Sequence, residues 1–114
     1  LPIPPSAAGI VAELAARDER VQVLIRDQEY KSLFVPAFEA KVLALALGKK
    51  MTPAEAGSRK LLLERAVKEV VRGAWLLDHF GDQGDRIEVL EQYRVFSDGV
   101  KGLKVLYPAG ASGE

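Results

Sequence analysis

The segment LLDHFGDQGDRIEVLEQY, residues 76–93, contains the side chains of this sequence that are best suited to metal binding or acid–base chemistry. It holds the single histidine of the chain, His79, and three nearby aspartates, Asp78, Asp82 and Asp85. Carboxylates are the ligands of hard cations such as calcium, and the imidazole would add a ligand for a transition metal. These four residues are therefore the candidate metal ligands.

The spacing of these residues does not match the best-known calcium loop. A loop of the EF-hand type needs oxygen ligands at its first, third and fifth positions and glycine at its sixth. If Asp78 is the first, then the third is Phe80 and the sixth is Gln83. Gln83 is also the residue four positions after His79, where a helix would place a second ligand. We therefore predict no metal site, and without a serine or cysteine arranged with His79 we predict neither catalysis nor a cofactor.

A turn between two helices accounts for more residues of this segment than a site does. Gly81 is placed to end one helix in the left-handed conformation, and Gly84 allows a tight reversal. Asp85 can cap the next helix, with Glu88 three positions later as its capping-box partner. The negative charge of Asp85 also suits the positive end of the helix dipole. The segment is therefore predicted to be a turn.

Apolar residues recur at spacings of three and four along the chain, which is the period of amphipathic helices. We predict four helices. Helix 1 covers residues 7 to 27 behind the N-cap Ser6. Pro36 either opens or bends helix 2, which ends at Gly48. Between them, the stretch DQEYKSLF, residues 27–34, is either the end of helix 1 or a turn.

The strongest local signal in the chain begins helix 3. Thr52 can cap the free amide of Glu55, Glu55 can reach back to Thr52, and Pro53 lies at the first helical position, where no donor is needed. Helix 3 then continues to residue 80, and helix 4 covers residues 85 to 107.

The apolar positions of each helix define the face that is predicted to enter the core. Arg17 interrupts this face on helix 1 and is expected to lie at its edge with its charge in solvent. Gly73, Gly99 and Gly102 lower helix propensity, and a close approach between helices is the commonest reason to retain them. The predicted core residues are Ile10, Leu14, Val21, Leu24, Phe34, Phe38, Val42, Leu45, Leu63, Val67, Val70, Ala74, Leu77, Val89, Tyr93, Phe96, Val100, Leu103 and Tyr107.

Four helices with short connections predict an all-α fold, an antiparallel up-down-up-down four-helix bundle. Residues 1–108 are expected to form a single helical-bundle domain, and residues 109–114 a flexible C-terminal tail. Sixteen basic and 16 acidic side chains cancel, which argues against nucleic acid as a partner. The longest apolar run, residues 42–47, is too short to span a membrane, and the absence of cysteine excludes disulfides and thiolate metal sites.

Two further groups of residues have both a functional and a structural interpretation. Arg65, Lys68 and Arg72 form a basic stripe on helix 3 that could meet phosphates, but Glu64 and Glu69 interleave with it, which favours a solvated face. The aromatic residues could line a cofactor pocket inside the bundle, although their helical spacing favours a role in the core. They are Phe34, Phe38, Trp75, Tyr93, Phe96 and Tyr107.

The segment AWLLDHFGDQGDRIEVLEQYRVFSDGVKGLKVLYP, residues 74–108, resembles small exported helical-bundle proteins of bacteria. The resemblance rests on the Leu-Asp, Gly-Asp, Gly-Asp turn between the last two helices and on the Tyr107-Pro108 end of the last helix. The stretch VPAF, residues 35–38, is similar to the start of their second helix. The resemblance implies a periplasmic location and, for some relatives, a role in metal homeostasis.

These observations favour a non-enzymatic, exported binding or accessory protein, linked to metal homeostasis by the resemblance. The LPIPP start at Leu1 indicates either a trimmed segment or a mature protein without its signal peptide, and we favour the mature, periplasmic protein over a cytoplasmic one. The expected partner is a protein or a small ligand, and the expected state is a monomer or homodimer. A structural assembly subunit, such as a phage head-tail connector, is the alternative.

Overall fold

Helices make up most of the described chain, which comprises residues 1–50 and 57–108 of the computed structural model. The elements in chain order are α1 (Ala7–Arg26), a 3-10 helix (Tyr30–Leu33), α2 (Phe34–Lys49), α3 (Ser58–Gln83) and α4 (Arg86–Leu106). Each α-helix packs against the next along the chain, and α1 also packs against α4. The predicted all-α four-helix bundle is confirmed. The predicted capping box at Thr52 and the predicted tail at 109–114 lie outside the described residues.

Neighbouring helices run antiparallel, and two glycines set the close approach of α3 to α4. A Cβ atom on Gly73 would lie 2.8 Å from the Cα atom of Phe96, and one on Gly99 would lie 3.0 Å from the backbone nitrogen of Val70. A side chain at either position would therefore collide with the backbone of the other helix. The prediction that glycine permits close packing is confirmed at these two positions, whereas Gly102 has ordinary space for a Cβ atom.

The ends of α1 are closed by hydrogen bonds to its free backbone groups. The Ser6 hydroxyl accepts from the amide of Gly9 at 2.9 Å, so the predicted N-cap is confirmed. After the helix, Gln28 has a positive φ of 58°. The amide of Glu29 then donates to the Leu24 carbonyl at 2.8 Å. The stretch that the sequence left open is therefore a turn followed by the 3-10 helix.

The core runs between the four helices and uses the predicted faces of α1, α3 and α4. Phe96 is the largest of its fully buried side chains. Val67, Tyr93 and Tyr107 are only partly buried and lie at the edge of the core. The predicted positions that are buried are Ile10, Leu14, Val21, Leu24, Leu63, Val70, Ala74, Leu77, Val89, Phe96, Val100 and Leu103.

The predicted core face of α2 is wrong. Phe34, Phe38 and Leu45 are 55%, 62% and 45% exposed, and Val42 is partly buried. α2 is apolar around most of its circumference, so the spacing of its apolar residues does not select one face. The small side chains on the other face allow α2 to approach its neighbours closely. The buried residues of α2 are Pro36, Ala37, Ala40, Leu43, Ala44 and Leu47.

Pro36 lies inside α2 and does not open it, and the predicted end of the helix at Gly48 is wrong. The helix begins at Phe34, and Pro36 occupies its third position, where a missing amide hydrogen costs no helical hydrogen bond. Gly48 does not end the helix in a left-handed conformation. The helix continues for one more residue, because the amide of Lys50 closes the last turn on the Leu47 carbonyl at 3.1 Å.

A polar cluster around the buried Asp18 joins α1 to α4, and it was not predicted from the sequence. The Tyr93 hydroxyl donates to Asp18 Oδ1 at 2.7 Å, and the Ser97 hydroxyl donates to Asp18 Oδ2 at 3.2 Å. Asp18 is only 8% exposed. Burial raises the pKa of the Tyr93 hydroxyl, and the hydrogen bond to Asp18 adds to that rise. Arg17 lies at the edge of the core as predicted, but its charge is not simply in solvent, because the guanidinium pairs with Glu13 at 2.7 Å and with Glu39 at 3.2 Å.

Replacing Asp18 should destabilise the bundle. We expect Asp18→Ala to lower the free energy of unfolding by about 2 kcal/mol, because it leaves the hydroxyls of Tyr93 and Ser97 without their acceptor. Urea unfolding followed by circular dichroism would measure the change. Glu19→Ala, at the exposed neighbouring position, is the control and should change stability by less than about 0.5 kcal/mol. Equal stability of both variants would contradict the role of Asp18.

Candidate functional site

The four predicted candidate ligands lie at the end of α3 and at the start of α4. Asp78, His79 and Asp82 are exposed, and Asp85 is partly buried. Across residues 1–50 and 57–108, no group of three or more histidine, aspartate or glutamate side chains is arranged to hold one metal ion. The structure therefore does not bring these four residues together as a ligand set.

The turn between α3 and α4 is closed by Gly84 and not by Gly81. Gly84 has the left-handed conformation, with φ of 68°, and its amide donates to the Gly81 carbonyl at 3.1 Å. Gly81 is helical and buried, and a Cβ atom there would lie 2.6 Å from the carbonyl oxygen of Tyr30. Glycine at position 81 therefore allows the 3-10 helix to pack closely against α3. The sequence around residues 78–85 does not reveal this contact.

Asp85 caps α4 as predicted. Its Oδ1 atom accepts from the amide of Glu88 at 3.1 Å. The amide of Asp85 donates to the Phe80 carbonyl at 3.0 Å, so the predicted return bond from that amide to the Glu88 side chain is wrong.

We expect Asp85→Ala to lower the free energy of unfolding by about 1 kcal/mol. Thermal unfolding checks this value, and an unchanged melting temperature would contradict the capping role.

His79 makes its contacts within α3. Its ring stacks on Trp75, with 5.8 Å between centroids and an angle of 5° between planes. The ring also meets the edge of Phe80 at 4.9 Å, and its Nε2 atom lies 3.4 Å from the Gln83 amide nitrogen. These contacts hold the His79 imidazole against the Trp75 side chain.

Metal titration provides a separate test of the acidic turn. We expect calorimetric titration with zinc, copper or calcium to detect no site tighter than about 10 μM, because Asp85 is engaged as a cap and His79 has no helical partner ligand. A stoichiometric site of higher affinity that His79→Ala abolishes would contradict our interpretation of the turn.

The best candidate site is instead a surface groove between α2 and α3, with a volume of about 520 Å³. We call it the α2–α3 groove. Its apolar wall contains Trp75, which is 59% exposed, and Leu45, which is 45% exposed. The residues that line it are Lys41, Leu45, Val67, Lys68, Val71, Arg72 and Trp75.

The exposed aromatic residues correct the predicted core. Of the six aromatic positions, Phe96 is buried and the two tyrosines are partly buried, whereas Phe34, Phe38 and Trp75 are exposed. The sequence contained a signal for Trp75, because it follows the core position Ala74 directly and so lies off the core face of α3. For α2 no such signal exists, because both of its faces are apolar.

The charged residues that line the α2–α3 groove are all basic. Lys41 comes from α2, and Lys68 and Arg72 come from α3. None of these three side chains forms an ion pair with another residue of the described chain. Lys68 and Arg72 also border the neighbouring groove between α3 and α4, and the acidic residues Glu64 and Glu69 line that groove but not the α2–α3 groove. The α2–α3 groove therefore combines apolar walls with unpaired positive charge.

Two other grooves are less suited to a charged or apolar partner. The groove between α1 and α2, of about 430 Å³, contains Arg17 and Glu39, which pair with each other. The groove between α3 and α4, of about 610 Å³, contains the acidic residues Glu64 and Glu69 beside basic residues, two of which it shares with the α2–α3 groove. Opposite charges within each groove cancel much of its field.

Comparison with known proteins does not add to this geometry. No family model, curated protein or solved structure matches the chain. Within the described segments, no helix is both long enough and apolar enough to cross a membrane.

Proposed function

We propose that this chain is a non-enzymatic binding or accessory protein that acts through the α2–α3 groove. The observation that supports the proposal is the exposed Trp75 in an apolar groove whose charged lining residues are all cations. Trp is among the residues most enriched at the energetic centres of protein interfaces, because it buries a large area with little loss of side-chain entropy. An exposed Trp in a concave apolar site is therefore best explained by a partner that covers it.

The exported location and the link to metal homeostasis belong to the same proposal. They rest on the resemblance of residues 74–108 to exported helical-bundle proteins. Fractionation of the native host tests the location, and recovery of the protein in the cytoplasmic fraction would contradict it.

Photo-crosslinking tests the binding role. A photoactivatable phenylalanine analogue at Leu45, in the groove, should give a defined adduct in the native host, which mass spectrometry can identify. The same analogue at Ile87, which is 80% exposed on α4, is the matched control and should not give that adduct. Adding Trp75→Ala to the Leu45 probe should remove most of the adduct. Equal labelling from both positions would contradict the proposal.

A structural assembly subunit is the second candidate. A further groove between α3 and α4, of about 310 Å³, contains the exposed side chains of Leu62 and Val105, which are 55% and 78% exposed. Such apolar residues could form contacts between subunits of a ring. Light scattering distinguishes the two candidates, because a large cyclic oligomer would favour assembly and a monomer or dimer would favour the binding role.

A further inference from the structure

We infer that the occupant of the α2–α3 groove is an amphipathic helix of a partner protein, with acidic residues on both sides of its apolar face. This inference rests on the proposed function and specifies the chemistry of the partner. Three observations support it: the shape of the groove, the positions of the cations that line it, and the poorer fit of a second copy of this chain or of a membrane.

The apolar wall has the dimensions of a helix-binding surface. Val67, Val71 and Trp75 lie at intervals of four on α3, so they form a strip along one side of that helix. At 1.5 Å per residue the strip is about 12 Å long, or slightly more than two helical turns. Leu45 of α2 forms the opposite side. A partner helix with apolar residues at matching intervals would bury its face between the two walls.

The cations come from both helices that form the groove. Lys41 lies on the α2 side, and Lys68 and Arg72 lie on the α3 side. A bound helix would therefore meet positive charge along both edges of its apolar face. Glutamate or aspartate at those edges would pair with the cations, whereas lysine or arginine would be repelled. Charge complementarity thus selects an acidic helix over a basic one.

A second copy of this chain fits the groove less well. In a symmetric dimer formed through the groove, the same surface of both copies would meet, so the three cations of one copy would approach those of the other. A flat anionic membrane would also leave the concave wall between α2 and α3 partly unfilled. Both alternatives are outcomes of the experiment below.

Trp75 is the only tryptophan of the chain, so its emission reports directly on the groove. The probes are two tryptophan-free synthetic peptides of about 18 residues, a length that can form a helix on binding. Both carry leucine at the same helical intervals, and the flanking positions are glutamate in one and lysine in the other. We expect the acidic peptide to shift the Trp75 emission to shorter wavelength and to bind at least about tenfold more tightly at low ionic strength.

Charge reversal in the groove should reverse this preference. The double variant Lys41→Glu with Arg72→Glu should bind the lysine peptide more tightly than the glutamate peptide. The matched control, Lys101→Glu with Lys104→Glu, makes the same charge change at exposed positions of α4 and should keep the original preference. Circular dichroism melting of both variants verifies that they are folded.

Several results would overturn the inference. These are equal binding of the two peptides, preference of the wild type for the lysine peptide, or no emission shift with either. A larger shift with vesicles of phosphatidylglycerol than with the acidic peptide would favour a membrane, and dimerisation that buries Trp75 would favour a second copy. If any of these occurs while crosslinking from Leu45 still gives its defined adduct, the binding role stands and only the acidic-helix partner is wrong.

Discussion

Phe96→Ala is expected to lower the free energy of unfolding by about 3 to 5 kcal/mol. Phe96 is fully buried, and it lies where α4 crosses Gly73 of α3. Removing the ring loses its apolar burial and leaves a cavity. The surrounding backbone cannot fill this cavity, because α3 and α4 already approach each other closely. Chemical denaturation followed by circular dichroism measures the loss.

The order of two effects makes this prediction specific. Phe96→Ala should cost several times more than Asp85→Ala, since the first removes a core side chain and the second removes one capping hydrogen bond. Ile87→Ala, at an exposed position of the same helix, should change stability by less than about 0.5 kcal/mol. If Phe96→Ala cost no more than Asp85→Ala, the packing of α4 would differ from that described.

Gly73→Val is expected to have the second largest effect, a loss of about 3 kcal/mol. A Cβ atom at this position would lie 2.8 Å from the Cα atom of Phe96 and 2.9 Å from its backbone nitrogen. Backbone atoms cannot rotate away as a side chain can, so α3 and α4 must separate. The same unfolding measurement as for Phe96→Ala applies.

Gly102→Ala is the control for the glycine prediction. The added Cβ atom would lie 3.5 Å from the Cβ atom of Ala66, which is an ordinary contact. Alanine has the higher helix propensity, so this variant should be as stable as the wild type or more stable by up to about 1 kcal/mol. If Gly73→Val were as stable as Gly102→Ala, the helices would not approach each other at Gly73 as closely as described.

The sequence predicted the parts of the fold that local patterns determine. On α4, the positions from Val89 to Leu103 follow one apolar stripe at spacings of three and four, so the buried face could be identified although Ile87, Leu90 and Val105 lie exposed outside it. The capping role of Asp85 followed from the short range of its hydrogen bond to the amide of Glu88. In each case the information lies within one helix or one turn.

Other parts depend on contacts between distant residues. Gly81 was expected to end α3, but its small size is required by the carbonyl oxygen of Tyr30, which is far away in the chain. Asp18 is buried because Tyr93 and Ser97 supply hydrogen bonds from α4. The sequence around Gly81 does not identify Tyr30 as its neighbour. The sequence around Asp18 does not identify the hydroxyl groups that donate to it.

The candidate site was only partly predictable for the same reason. The cap at Asp85 followed from the spacing of residues 78–85, but the predicted end of helix 3 at residue 80 is wrong, because α3 continues to Gln83 and only Gly84 and Asp85 separate it from α4. The α2–α3 groove could not be predicted, because α2 is apolar on both faces and its sequence does not show which face is exposed. Leu45 was therefore placed in the core, although it lines the surface groove together with Trp75.

The most direct test that the protein binds its partner through the α2–α3 groove is a calorimetric titration of three proteins. The titrant is the partner that is identified by crosslinking from Leu45. The three proteins are the wild type, Trp75→Ala, and the double variant Asp78→Asn with Asp82→Asn, which neutralises the acidic turn. We expect Trp75→Ala to weaken binding at least about tenfold, whereas the double variant should bind within about twofold of the wild type. Loss of affinity in the double variant with little effect of Trp75→Ala would contradict the account and would place binding at the turn between α3 and α4.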